Sequence, residues 1–473
     1  MTFDRRQVLL ASVGLMLAGC DTLPNTVLRG GTPAPKFSIA DLTRRTFDWF
    51  WDLADPKTGL VPDRWPTPSF ASIAAVGFGL TAYPYGVEKG WIGRAAARER
   101  TLNTLRFFDR APQGDAKTDV SGHRGFFYHF LKMDDGTRFG TTELSSIDTT
   151  LLLSGMLFAA QYFDSDQAAE AEIRMLANRI YERVEWDWML GKGPFVSMGW
   201  HPETNFIVHQ WNAYNEAMLL YILAFASPKH AINPTIWSSY TSNFDKSWGT
   251  HWGEEHLHFP PLFGHQYSHV WIDFRGIKDA YMQRRGIDYF ENSCRATRAQ
   301  RNYAAANPMG WRGYDKNIWG LTACDGPGDF KHMVGGQNRE FFSYSSRGPG
   351  DRDDGTLAPT AAGGSIAFEP QMSEAALAAM HRRYGTAIYG KYGFFDSFNP
   401  TLTDAAGIKL LHGKIVPGLC WVDGDYLGID QGPIIAMIAN AQDDFVWRHM
   451  RGSPVIRSGL TKAGFTGGWL GAA

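Results

Sequence analysis

Ser146-Ile147-Asp148-Thr149-Thr150-Leu151-Leu152-Leu153-Ser154-Gly155-Met156-Leu157-Phe158-Ala159-Ala160-Gln161-Tyr162-Phe163 decides the fold class. After its first turn the run is apolar on every side, and it is too short on charge to face water along any stripe. The next segment, Gln167–Trp186, is amphipathic, with charged residues interleaved at helical spacing. The same alternation recurs. Phe37–Ala54 and Ala95–Arg110 have one apolar face, Trp211–Ala226 is apolar almost throughout, and Lys278–Ala306 is polar and charged. Ser373–Tyr384 and Gln431–Met450 complete the set. Wholly apolar helices alternating with amphipathic ones are what an inner ring wrapped by an outer ring requires. The expected fold is therefore all-α, an (α/α)6 toroid with long cleft-lining loops. A solenoid would need a fixed-period repeat, and none is seen. Strand-like alternation is confined to short pieces such as Gly125–Lys132, and Gly348–Gly364 reads as a cleft-edge loop.

Upstream of this body the chain has a different character. Arg5 and Arg6 precede the apolar run Val8–Ala18, which is too short to span a bilayer. The run ends in Leu17-Ala18-Gly19-Cys20, the pattern of a bacterial lipobox, and the paired arginines resemble a twin-arginine export signal. Residues 1–19 are expected to be a signal peptide, Cys20 the lipidated residue, 20–36 a tether and 37–473 the catalytic domain. That places the chain on the periplasmic side of a membrane through an N-terminal lipid anchor, and Asp21 favours the inner membrane. The net charge of −2 gives no reason to expect nucleic acid, and no obligate protein partner is evident. Beyond Cys20, Cys294, Cys324 and Cys420 allow one disulfide or three free thiols. The 17 Trp and 14% aromatic content suit both a large core and stacking against sugar rings.

Cleaving a glycosidic bond calls for two carboxyl groups, one to protonate the leaving oxygen and one to activate water or attack. Glu216, in Trp211-Asn212-Ala213-Tyr214-Asn215-Glu216, opens an apolar helix that Asn212 can cap. Partial dehydration by Trp211 and Tyr214, which are also candidates for sugar binding, would favour its protonated form. The partner comes from Glu143 or Asp148, in Thr142-Glu143-Leu144-Ser145-Ser146-Ile147-Asp148. There Ser145 is a good N-cap and Asp148 also fits the acid of a capping box. The polar and aromatic run His265, Gln266, His269, Trp271, Asp273 and Arg275 suits hydroxyl recognition, or else a buried polar network. Trp319, Asp325 and Asp430 sit in turn-like segments and are further sugar-binding candidates, against a plain turn-forming role. His251–His258 lacks the spacing of a metal motif and reads as an exposed loop, so no metal is expected. The chain has no phosphate-cradling loop and no nucleophile elbow.

Phe126-Phe127-Tyr128-His129-Phe130-Leu131, the Thr142–Thr149 block, Tyr214-Asn215-Glu216, the His265–Arg275 stretch and Trp319–Pro327 together resemble the bacterial glucoamylase-like proteins. That group includes glycoside hydrolase family 144, the β-1,2-glucanases. The resemblance implies an (α/α)6 barrel and inverting hydrolysis of β-1,2-glucan or sophoro-oligosaccharides without a cofactor. It puts the acid on Glu216 and the partner within Glu143–Asp148. The rival readings are a toroid enzyme of other specificity (another linkage, a transglycosylase or a polysaccharide lyase) and a non-catalytic glycan-binding lipoprotein.

Overall fold

Four of the helices start on a serine cap. In the computed structural model, which describes residues 37–471, Ser38, Ser72, Ser145 and Ser453 each accept a backbone N–H of the helix they open. Each such cap is worth about 1 kcal/mol. In chain order the helices are α1 (Ile39–Leu53), α2 (Ile73–Glu88), α3 (Arg94–Arg110), α4 (Ser146–Tyr162), α5 (Ala168–Glu182), α6 (Met218–Ala226) and α7 (Ile236–Ser242). They continue as α8 (Phe263–Trp271), α9 (Ala280–Arg285), α10 (Tyr289–Ala306), α11 (Pro359–Gly363), α12 (Pro370–Tyr384), α13 (Gly428–Asp443), α14 (Phe445–Met450) and α15 (Pro454–Lys462).

Two kinds of helix alternate. Every residue of α8 and α11 is buried, as is all of α4 except Gln161, and α2, α6 and α13 are buried along nearly their whole length. By contrast α1, α3, α5, α10 and α12 bury one stripe, such as Leu42, Thr46, Phe47, Trp49 and Phe50 on α1. The buried helices touch in sequence. A Cβ on Gly77 of α2 would lie 2.3 Å from the Leu151 carbonyl of α4, and one on Gly155 would lie 2.1 Å from the Gly77 carbonyl. Only glycine allows that approach. Helix α4 also packs on α6. The Leu219 N–H of α6 donates to Ser268 Oγ of α8 (3.1 Å), and Gln266 Nε2 of α8 donates to the Ala361 carbonyl of α11 (2.9 Å). Thr360 Oγ1 of α11 donates to the Asp430 carbonyl of α13 (3.0 Å), and α13 packs back on α2.

Several expected boundaries move. Helix α2 was not anticipated, because Gly77, Gly79, Pro84 and Gly86 lower its helical propensity. Lys278–Ala306 is two helices, broken where Gly286 turns left-handed (φ +75°) and Asp288 caps α10. Gln431–Met450 also breaks, at Asp444 (φ +51°). The Gly348–Gly364 loop ends in the buried helix α11, so only its first part is loop. His251–His258 is a hairpin rather than a loop, with Trp248–His251 pairing against Glu254–Leu257. Cys294, Cys324 and Cys420 are buried free thiols. Among the described residues no helix is long and apolar enough to cross a membrane. The signal peptide, Cys20 and the tether lie outside the described residues.

Candidate active site

The segments leading into the buried helices are laced together at one end of the molecule. Short strands pair Ser72 with Phe130, Leu144 with Trp200, and Arg64 with Leu427. The His129 N–H donates to the Glu143 carbonyl (2.9 Å), and the Gly428 N–H to the Asp63 carbonyl (2.9 Å). These bonds gather acids from distant parts of the chain into two nests.

The first nest is Glu143, His129 and Asp148. Backbone pairing brings the His129 ring beside Glu143, where Nδ1–H donates to Oε1 at 2.8 Å. The other ring nitrogen, Nε2, lies 3.5 Å from Asp148 Oδ1. Asp148 sits in the first turn of α4: its N–H donates to Ser145 Oγ, and that hydroxyl donates to Asp148 Oδ2 at 2.5 Å. The Ser145 cap is formed, but the Asp148 carboxylate meets the Ser145 hydroxyl and not the Ser145 backbone N–H that a capping box would use, and its other oxygen faces the imidazole. Burial pushes the Glu143 carboxyl up, but the charge and hydrogen bond of His129, helped by His201, outweigh it and hold Glu143 below the usual carboxylate range. Glu143 keeps 25% of its side chain exposed, against 2% for Asp148. This nest holds an accessible anion.

Glu216 lies in the turn before α6 rather than inside the helix, and the side chain bonding that turn is Asn215, whose Oδ1 accepts the Ala217 N–H at 3.0 Å. Asn212 is exposed and does not cap. The Glu216 carbonyl accepts from Ser268 Oγ (2.8 Å), and the residue is 2% exposed. Trp211 Nε1 donates to Ser146 Oγ at 2.9 Å, which ties this segment to the first residue of α4 and so to the Asp148 turn.

The second nest surrounds Arg64. Its Nη1 donates to Asp325 Oδ2 (2.7 Å), and Asp63 and Asp425 lie 3.4 and 3.8 Å from the guanidinium. Asp396 Oδ2 accepts the Asp325 N–H (2.8 Å), and Asp423 Oδ2 accepts the Asp425 N–H (3.2 Å). Burial first, then the charges of Asp430 and Asp325, push Asp396 well above its ordinary range. Burial and Asp325 do the same to Asp423, with Arg64 opposing.

The proposed sugar-binding side chains divide. Asp325 and Asp430 belong to the second nest. Trp211, Tyr214 and Trp319 are buried and present no face for stacking. His265, Gln266, His269 and Trp271 form a buried polar network instead. His265 Nδ1 accepts from the Tyr214 hydroxyl (3.0 Å), and His269 Nε2 meets Ser293 Oγ (3.1 Å). Asp273 and Arg275 lie at the opposite end, past the C-terminus of α8, in an ion cluster with Arg451 and Asp444. Helix α8 is buried all round, so its polar groups must bond to neighbours. Sequence reasoning missed His129, although a lone imidazole in the run Phe126–Leu131 marked it. It also missed Arg64, Asp396 and Asp423 of the second nest.

A family model described as "Putative glucoamylase" matches residues 208–454, just over half of the chain. The chain belongs to this glucoamylase-like family. A crystal structure from Bacteroides uniformis with the same description is 30% identical and superposes with a TM-score of 0.77, covering 91% of this chain and 98% of that one. An endo-β-1,2-glucanase from Chitinophaga pinensis, solved with sophorotriose and glucose, is 26% identical at a TM-score of 0.74, covering 92% and 100%. An exo β-1,2-glucooligosaccharide sophorohydrolase (non-reducing end) from Parabacteroides distasonis is 28% identical over 452 residues. That alignment takes in 88% of this chain, which spans only 56% of the relative's length.

Proposed function

We propose that this member of the glucoamylase-like family is a glycoside hydrolase that cleaves β-1,2-glucan or sophoro-oligosaccharides with inversion. Its frame is read as an (α/α)6 toroid, with α2, α4, α6, α8, α11 and α13 as the inner ring. The cyclic run of contacts and the likeness to the glucanases support this reading. The observation that carries the chemistry is the 2.8 Å bond between His129 and Glu143 at the end of the molecule where Glu216 lies.

Glu216 gives its proton to the O2 of the departing glucose as the C1–O2 bond breaks. Glu143, kept ionised by His129, takes a proton from the water that attacks C1 from the other face, directly or through a substrate hydroxyl. Asp148 holds the far side of the imidazole and so orients the pair. Hydrolysis of this type uses no cofactor. We also propose that residues 1–19 are removed on export and that a lipid on Cys20 holds the domain on the periplasmic side of a membrane. The lipobox pattern supports this.

The test is a product profile from purified protein on β-1,2-, β-1,3- and α-1,4-glucans, with the anomer followed by NMR. Sophoro-oligosaccharides released first as the α-anomer are expected. Turnover confined to another linkage, or β-anomer release, contradicts the reading.

A further inference from the structure

The second nest contains a cluster that the reaction above does not use. Asp325, His412 and Asp423 each offer one ligand atom, and the three atoms lie within 4.8 Å of one another. Both aspartates are buried and His412 is half-buried. The His412 backbone is pinned beside Asp423, because Trp421 Nε1 donates to its carbonyl at 2.9 Å. Asp423 is satisfied on one side only. Its Oδ2 accepts the Asp425 N–H, whereas Oδ1 is buried with no hydrogen-bond partner among the described residues. A dry carboxylate oxygen without a donor is unfavourable unless something else answers it.

Charge points the same way. Arg64 faces Asp63, Asp325 and Asp425, while Asp396, Asp423 and Asp430 crowd in behind. One guanidinium cannot balance the charge of that many closely gathered carboxyls. A second cation would relieve it.

We propose that Asp325, Asp423 and His412 bind a divalent transition-metal ion of the Mn²⁺ or Zn²⁺ kind. Carboxylate oxygens with an imidazole nitrogen suit those ions, whereas Ca²⁺ and Mg²⁺ take oxygen almost exclusively. Bonds of about 2.0–2.2 Å put two ligands roughly 3–3.5 Å apart, so modest side-chain rotation closes the cluster. Three protein donors leave at least one position for water. The ion would fasten the His412 segment to the Asp325 and Asp423 segments and answer the open oxygen of Asp423.

The experiment titrates the metal-stripped protein with MnCl₂, ZnCl₂, CaCl₂ and MgCl₂ by calorimetry and thermal unfolding, readouts independent of hydrolysis. One equivalent of Mn²⁺ or Zn²⁺ should bind and raise Tm with its concentration. Asp423→Asn and His412→Ala should each weaken binding at least about tenfold. His412→Ala removes a half-exposed ring, and it decides alone if the Asp423 variant does not fold. No binding by either ion, preference for Ca²⁺ or Mg²⁺, or unchanged affinity in His412→Ala with loss in His258→Ala instead overturns the proposal.

Discussion

The two acid nests at this end of the molecule each set carboxyl groups beside a basic side chain, and they behave in opposite ways. Glu143 has its own imidazole at 2.8 Å and a quarter of its side chain in water, and it is held down as an anion. Asp396 has a backbone N–H on one oxygen and other carboxyls around it, and it is pushed well up. What separates them is supply of positive charge, since both are buried enough for dehydration to act. Charge state in these nests is therefore decided by the neighbours of each acid, so a count of acids does not reveal which one can serve as a base.

Removing the imidazole or the carboxylate should break the first nest. Glu143→Gln is expected to lower kcat by about 10²–10⁴-fold, measured on linear β-1,2-glucan. His129→Gln should have a milder and more telling effect. Without its counter-charge the Glu143 pKa rises, so the acid limb of the kcat/KM profile moves to higher pH. An unmoved limb would mean that His129 does not set the charge of Glu143.

The second nest is sharpened by stability rather than by rate. The folded pKa of Asp396 lies above its unfolded value of about 3.9, so the folded protein binds that proton more tightly. Its contribution is fully present below about pH 4 and is lost as pH rises through the raised value. Asp396→Asn in the presence of chelator should flatten that decline in urea unfolding curves taken across pH. A variant curve parallel to wild type would place the crowding elsewhere. The smallest effect belongs to the far end of α8. Arg275→Ala loses a 2.7 Å pair with Asp273 that is substantially exposed on the arginine side. It should cost about 1 kcal/mol in the same unfolding assay and leave kcat and KM unchanged.

The features legible in the sequence were local ones. Ser145 as the cap of α4, and α4 as an all-apolar helix, follow from a hydroxyl placed just before a long apolar run. Glu216 stood out because an acid borders such a run, although the turn is bonded by Asn215 and not Asn212. Helix α2 was hidden because its glycines look like breakers. Their reason is the close approach of α4, which one strand of sequence cannot display. The second nest was hidden for a related reason: Asp63, Asp325, Asp396 and Asp423 come from loops far apart in the chain and meet only once the buried helices are docked. The His265–Arg275 run misled in the opposite direction, because a polar stretch on a fully enclosed helix looks the same as one that greets a ligand.

The most direct measurement is the turnover of Glu216→Gln on linear β-1,2-glucan, alongside a sophoroside whose nitrophenolate leaving group needs no proton. The account predicts a fall of about 10²–10⁴-fold in kcat on the glucan and a much smaller fall on the activated substrate. Wild-type turnover on the glucan, or equal losses on both, would contradict Glu216 as the proton donor.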